Sequence, residues 1–445
     1  MEIEILSKEF IKPSSQSILQ KKPHRLSLFD QLTPTAYTPL VVFYPKDDLN
    51  SDSNLTLKNL KNSLSETLNL FYPLSGRITD NFHIHQFNEG ALFIQAQTKI
   101  RMLDLIKHHE IEKLNDLVSF KPFRKEIETN IPVFGVQFTR FSCGGISIGM
   151  SGSHKRIMDG PTGKAFFESW ASICRGDLNG IVHPNLEQAS EYFPPRVSLP
   201  ENHLSLMESL WFTEANYVTR RFVFSGQATA TLREKAKGKI ETKPSKIETL
   251  SCFIWKCCMK ASKACSGSVK PSILVEAVNL RPLTKPPMSN SSTGNVFWWA
   301  TAVADPNDEE KTELDELMKL LSEAIAVYKT DYTESIQGSD GFETMSDYCS
   351  QLEGLFNLEK PDIFAFTTWC YLGFNKLNFG WGEPFWTGIL GRVGPSFRNL
   401  IIFIETKDGK GIEAWITLDQ QKMALLEHDS EFLAFASPNP TISSL

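Results

Sequence analysis

Leu57, Leu60, Leu64 and Leu68 recur at intervals of three and four residues after Ser53-Asn54. That spacing predicts a helix with one apolar face, and Phe71-Tyr72-Pro73 predicts its end. A strand-rich stretch is expected from about Arg77 to Gln97. Residues 133–141, the turn Cys143-Gly144-Gly145, and residues 146–150 alternate as a β-hairpin that runs on to His154. After Pro161, Phe166, Trp170 and Ile173 share one helical face, and Gly176 predicts the C-terminal stop. Between 180 and 210 the periodicity lapses, and Pro184, Pro194, Pro195 and Pro200 punctuate an extended crossover. The order then repeats. A strand is predicted at Val218 to Phe224 and a helix from about Thr229. Ser245 and Glu248 form a capping box opening a helix with Ile247, Leu250, Ile254 and Cys257. A strand from Ile273 to Leu280, a long helix from about Asp308 to Tyr328, and a hairpin around Lys407 to Gly411 complete the second half. Strands and helices interleave in both halves, so the pattern predicts two α/β domains with a ligand cleft between them. The expected boundaries are 1–190, a linker at 191–215, and 216–445.

Composition narrows the class. With 445 residues, 41% hydrophobic and 22% charged, the chain matches an ordinary soluble globular protein. A net charge of -6 argues against a surface-wide nucleic-acid or anionic-membrane binder. No apolar run reaches the length of a membrane span, and the charged start Met1-Glu2-Ile3-Glu4-Ile5 lacks the apolar core of a secretory signal. Eight cysteines are too sparse for a disulfide scaffold; Cys252, Cys257 and Cys258 are expected as small buried apolar residues. The nine histidines show no H-x-x-x-H or H-E-x-x-H pattern, and His108-His109 would face different sides of a helix. A reduced, cytoplasmic, monomeric, metal-free protein is expected.

The chemistry concentrates at residues 146–170. An alternating strand ends on Ser153-His154, and Asp159-Gly160-Pro161 opens an amphipathic helix. A histidine fixed at a rigid strand end, beside a helix-opening carboxylate, is suited to be the general base that deprotonates an alcohol or amine. Two competing motifs fail. Gly160 to Lys164 lacks the first glycine and the final Ser or Thr of a phosphate loop, and residues 149–153 do not form a G-x-S-x-G elbow.

Ser153-His154-Lys155 with Asp159-Gly160, Asn279-Leu280-Arg281-Pro282, Gly294-Asn295, Thr367-Thr368-Trp369 and Asn378-Phe379-Gly380-Trp381-Gly382 stand in one order along the chain. In that order and spacing the chain resembles the plant BAHD acyl-CoA-dependent acyltransferases, and Phe366 to Phe374 is especially similar to the vinorine synthase-like alkaloid acetyltransferase branch. The resemblance runs from Ile11 through Phe71 to Arg77 and on to the C-terminal hairpin. It implies two chloramphenicol-acetyltransferase-like domains with mixed sheets and a channel between them. It also implies acyl-CoA, here acetyl-CoA, as cosubstrate, a small-molecule acceptor, and no permanently bound cofactor. Transfer would be direct, to an alkaloid or similar specialised-metabolite alcohol, with His154 as base. Thr367 and Trp369 would lie near the developing oxyanion. Asp159 would pair with Arg281 and hold the histidine loop, and residues 378–382 would support the fold at a distance.

Three departures from the family pattern stand out. Four residues, Lys155, Arg156, Ile157 and Met158, separate His154 from Asp159 where the family has three, and about 3.3 Å of added chain must be absorbed. Asn378 replaces the usual Asp, and Glu383 stands where a basic residue is common. They leave open a second reading, a family member that binds a metabolite or rearranges it without acyl transfer.

Overall fold

The computed structural model describes the chain except residues 34–35, 47–52, 79, 108–110, 123–129, 155–156, 201–202, 204, 207, 210–212, 214, 238–243, 268–269, 309, 390, 392–398, 441 and 443–445. The His108-His109 pair and the loop residues Lys155 and Arg156 therefore lie outside the described residues. In the first half the strands are β1 (Glu4–Ile11), β2 (His24–Arg25), β3 (Tyr37–Tyr44), β4 (Arg77–Ile78), β5 (His83–His85), β6 (Ala91–Gln97), β7 (Phe134–Arg140) and β8 (Ile146–Ser153). The second half carries β9 (Tyr217–Phe224), β10 (Ser272–Asn279), β11 (Phe297–Ala304), β12 (Asp362–Thr368), β13 (Trp386–Gly388), β14 (Leu400–Glu405), β15 (Ile412–Asp419) and β16 (Ala436–Pro438).

Among the described residues these strands form three sheets. The first runs β1-β6-β7-β8-β3-β13, the second β11-β10-β12-β14-β15-β9-β16, and a small one β2-β5-β4. Both large sheets are mixed: β6 lies parallel to β7, and β12 lies parallel to β10 and β14, while the remaining neighbours are antiparallel. The expected hairpin is β7 and β8, paired from Phe134↔Gly152 to Arg140↔Ile146. One strand crosses over. β13, from the second half, pairs with Val41 to Phe43 of β3 and completes the first sheet.

The helix Ser53–Leu70 packs its leucines on the helix Gly160–Arg175, and the Trp170 indole donates to Leu60 O (3.2 Å) and Ser63 Oγ (3.1 Å). Gly176 closes the second of these helices in the left-handed region, which satisfies its last carbonyls. β10 shows why two cores form. Ile273 and Val275 enter an apolar cluster continuous with the first half, while Leu274 faces a second cluster built on the helix Lys246–Ser266. Cys252, Cys257 and Cys258 are buried in that helix, and burial pushes the Cys258 thiol up to about 12. Two expectations needed correction. The long helix begins only at Leu314, where the apolar periodicity starts, and ends at Ala326 between short 3-10 turns. The crossover is not wholly extended, since it holds a short helix at Gln188–Tyr192.

Glu276 on β10 is 5% exposed and accepts a hydrogen bond from Ser251 Oγ at 2.7 Å. Burial pushes its carboxyl up to about 8. Because the folded state holds that proton more tightly, its contribution is full below the ordinary carboxyl range and is lost as pH rises toward 8. Glu276→Gln should flatten this loss, on the order of a few kcal/mol, in urea melts compared at pH 5 and pH 8.5.

Candidate active site

His154 sits where β8 ends. Its N–H donates to Ala36 O at 2.8 Å, and Ser153 N–H donates to Val133 O at 2.9 Å, so neighbouring backbone on both sides fixes the position of the ring. The side chain is half-buried and meets Asn295. His154 Nδ1 lies 2.9 Å from Asn295 Oδ1, while Asn295 Nδ2 donates to His154 O (2.5 Å) and to Asp30 Oδ1 (2.8 Å). Both partners of that amide nitrogen are pure acceptors, so the amide orientation is determined and Oδ1 must face the imidazole. Nδ1 therefore carries the proton, and among the described residues nothing hydrogen-bonds the Nε2 lone pair. Burial lowers the pKa of His154 below the ordinary imidazole value, opposed by the Asp159 carboxylate and by its hydrogen bonds. Burial thus favours the neutral form of the ring.

Asp30 anchors this relay. It is 1% exposed and accepts from Ser27 N–H, Ser27 Oγ, Asn295 N–H and Asn295 Nδ2 at 2.7 to 2.8 Å. Burial pushes its carboxyl pKa up, and the four donors oppose that rise.

Asp159 caps the helix Gly160–Arg175, accepting from Thr162 N–H at 3.0 Å, with Pro161 in the first turn where its missing N–H is harmless. Arg281 meets it face on: Nη1 to Oδ2 is 2.7 Å and Nη2 to Oδ1 is 3.1 Å, with the arginine fully buried. Arg281 also donates to Ser292 O and Gly294 O, and Asp159 accepts Val296 N–H at 3.1 Å. The pair thereby clamps residues 292–296 of the second half against the histidine loop, which holds Asn295 under the imidazole. Gly294 has φ +115° here, and a Cβ would lie 2.9 Å from that of Ala189, so this approach admits only glycine.

The lengthened loop leaves both anchors in place. Ile157 takes φ +154°, a conformation costly for a β-branched residue, about 1–3 kcal/mol. Ile157 and Met158 are buried, so surrounding packing holds that conformation.

A cavity of about 270 Å³ opens at His154 between the two halves. The first half contributes Thr33, Ala36, Thr38, His154, Asp159, Gly160 and Pro161; the second contributes Asn279, Phe297, Trp299, Thr367, Thr368, Trp369, Cys370 and Leu372 with others. His154, Thr367 and Trp369 thus share one chamber. Asp159 also touches its wall, though both oxygens are engaged elsewhere. Ser151 and Ser153 lie fully buried inside β8, consistent with the absence of a nucleophile elbow.

Residues 378–382 are not on the cavity wall. Asn378 Oδ1 accepts from Gly380 N–H (2.8 Å) and Gly382 N–H (3.1 Å), closing a turn whose glycines have φ +110° and +98°. Phe379 and Trp381 stack at 5.7 Å and meet the Tyr44 ring edge on. A neutral amide satisfies this turn without a charge. Asn378→Ala should lose about 0.5–1.5 kcal/mol in urea unfolding through the lost turn hydrogen bonds, which water partly replaces, whereas Asn378→Asp should change little. Glu383 pairs with Lys407 at 2.8 Å on the surface.

Asn279, Arg281 and Gly294-Asn295 were flagged by motif, but the Asp30 relay had no local signal: Asn295 and Asp30 stand 265 positions apart. Among the described residues, one His/Asp cluster of ligand spacing lies elsewhere, at Asp80, His83 and His85, and no helix is long and apolar enough to cross a membrane.

Two mixed sheets thus close on one histidine-bearing chamber. One family model, described as the transferase family, matches residues 1–433. Limonoid 7-O-acetyltransferase of Citrus sinensis is 37% identical over 464 residues, covering 99% of each chain. Akuammiline synthase 2 of Alstonia scholaris is 34% identical over 446 residues, covering 99% of this chain and 98% of that protein. The crystal structure of vinorine synthase matches with a TM-score of 0.81 at 28% identity, covering 99% of this chain and 100% of that one. The chain belongs to the BAHD acyltransferase family and is an enzyme of that class.

Proposed function

We propose that this enzyme transfers an acyl group, acetyl in particular, from acyl-CoA to an alkaloid or similar polycyclic specialised-metabolite alcohol bound in its uncharged form. The observation that carries the reading is the hydrogen bond from His154 Nδ1 to Asn295 Oδ1 at the edge of the chamber, because it leaves Nε2 as a neutral base. Nε2 takes the hydroxyl proton as the acceptor oxygen attacks the thioester carbonyl. The Trp369 indole and the Thr367 hydroxyl stabilise the oxyanion that forms. When the C–S bond breaks, the imidazolium returns its proton to the leaving thiolate.

Direct transfer is favoured over a covalent acyl-enzyme. Cys370 also lines the chamber, but burial pushes its thiol up to about 11, so almost none is thiolate at neutral pH. The acceptor class follows from the walls. Phe297, Trp299, Trp369, Leu372, Leu400 and Ile402 are apolar or aromatic, and among the described lining residues the single carboxylate, Asp159, is already paired with Arg281. Nothing there offers a counter-charge to an ammonium group. The experiment is thiol release from acetyl-CoA with neutral polycyclic alcohols and with alkaloids as acceptors. Release and an acetylated product support the reading; product without acetyl-CoA consumption would replace it with rearrangement.

A further inference from the structure

We propose that Asp80, His83 and His85 form a surface binding site for one late first-row divalent metal ion of the Zn²⁺ class, separate from the acyl-transfer chamber. His83 and His85 are two residues apart on β5, so strand periodicity places both rings on one face. Their ring centroids are 5.3 Å apart. Asp80 sits in the turn just before the strand. Its Oδ1 accepts from Phe82 N–H and His83 N–H, both at 2.7 Å, and this aims Oδ2 at the two rings. Oδ2 lies 3.9 Å from His83 Nδ1 and 3.5 Å from His85 Nε2, and all three ligand atoms fall within 4.8 Å of one another.

Zinc bond lengths of about 2.0–2.2 Å set the edges of a tetrahedral site at roughly 3.5 Å. One edge already has that length. The other two close by small rotations of rings that remain about one-third exposed. Two imidazoles and one carboxylate are borderline ligands that suit Zn²⁺, Ni²⁺ or Cu²⁺ rather than Mg²⁺ or Ca²⁺, and among the described residues no fourth His, Cys, Asp or Glu joins them, so water would complete the coordination.

The backbone beneath is preorganised. β5 is the middle strand of its sheet, paired through His24↔Ile84 on one side and Arg77↔His85 on the other. The turn is tied down as well: Gln31 Nε2 donates to Asn81 O at 2.8 Å and Leu26 N–H donates to Phe82 O at 3.0 Å. Fixed second partners of this kind sharpen a metal site. The sequence hid the cluster because an H-x-H pair reads as a ligand pair only once the segment is known to be a strand.

The test is a Zn²⁺ titration of chelator-washed, full-length protein in competition with a chromophoric chelator. One competing equivalent is expected, weakened at least tenfold in each of His83→Gln, His85→Gln and Asp80→Asn. Asp80→Asn keeps the oxygen that accepts Phe82 and His83, so it separates ligation from folding. Cu²⁺ electron paramagnetic resonance should show coupling to two nitrogens in the parent protein and to one in either histidine variant. No competition by the parent, or variants that titrate and resonate like it, would overturn the site.

Discussion

His154→Ala is expected to lower kcat for acyl-CoA-dependent transfer by about 10²- to 10⁴-fold, equivalent to about 3–5 kcal/mol of barrier. The loss should appear mainly in kcat, because the walls that bind the acceptor remain. The pH profile of the unsubstituted enzyme supplies the companion measurement. A base works only when neutral, so activity falls as pH drops through its pKa. Burial lowers that pKa in His154, which displaces the acid limb of kcat/KM to below the ordinary imidazole value of about 6.5. The limb should vanish from whatever activity His154→Ala retains. Thiol release that is unchanged in the variant would remove His154 from the reaction.

Arg281→Ala is expected to cost about 3–5 kcal/mol of folding stability. The guanidinium is fully buried and makes six hydrogen-bonding contacts to Asp159, Asn279, Ser292 and Gly294. Removing it strands the Asp159 carboxylate with only backbone donors. It also frees the backbone that presents Asn295 to the imidazole, so residual activity should fall further than stability alone requires. Against a total stability of about 5–15 kcal/mol, such a loss brings unfolding within easy reach of dilute urea. Lys407→Ala is the internal control. Its pair with Glu383 is about half exposed on both sides, and exposed pairs contribute at most about 1 kcal/mol. Equal urea midpoints for the two variants would refute the clamp.

Much of the fold was legible where local signals agree. The hairpin β7 to β8 and the helix Gly160–Arg175 combine apolar periodicity with a turn, a cap and a stop, so each boundary fell close to its expected place. The helix at Leu314 was overextended because the polar residues after Asp308 have no apolar face to bury and form only a 3-10 turn. The five-residue helix at Gln188–Tyr192 is too short to show a period. β13 is three residues long and pairs with β3 across more than three hundred positions, which no local pattern can announce.

The site divides in the same way. A strand end and a helix opening singled out His154 and Asp159, whereas Arg281, Thr367, Trp369 and residues 378–382 were implied only by the resemblance to the family. The consequence of the extra loop residue was a matter of three dimensions. Between fixed anchors at His154 N–H and at the Asp159–Arg281 pair, Ile157 is buried and takes a positive φ.

The amino-acid sequence by itself determined the strands and helices that bear the chemistry, since side-chain period, caps and turns are properties of neighbouring residues. Only the tertiary structure decided which nitrogen of His154 is free. That choice depends on Asn295 and, behind it, Asp30, groups brought together by the closing of two distant sheets, and hydrogen-bond direction exists only once donor and acceptor meet.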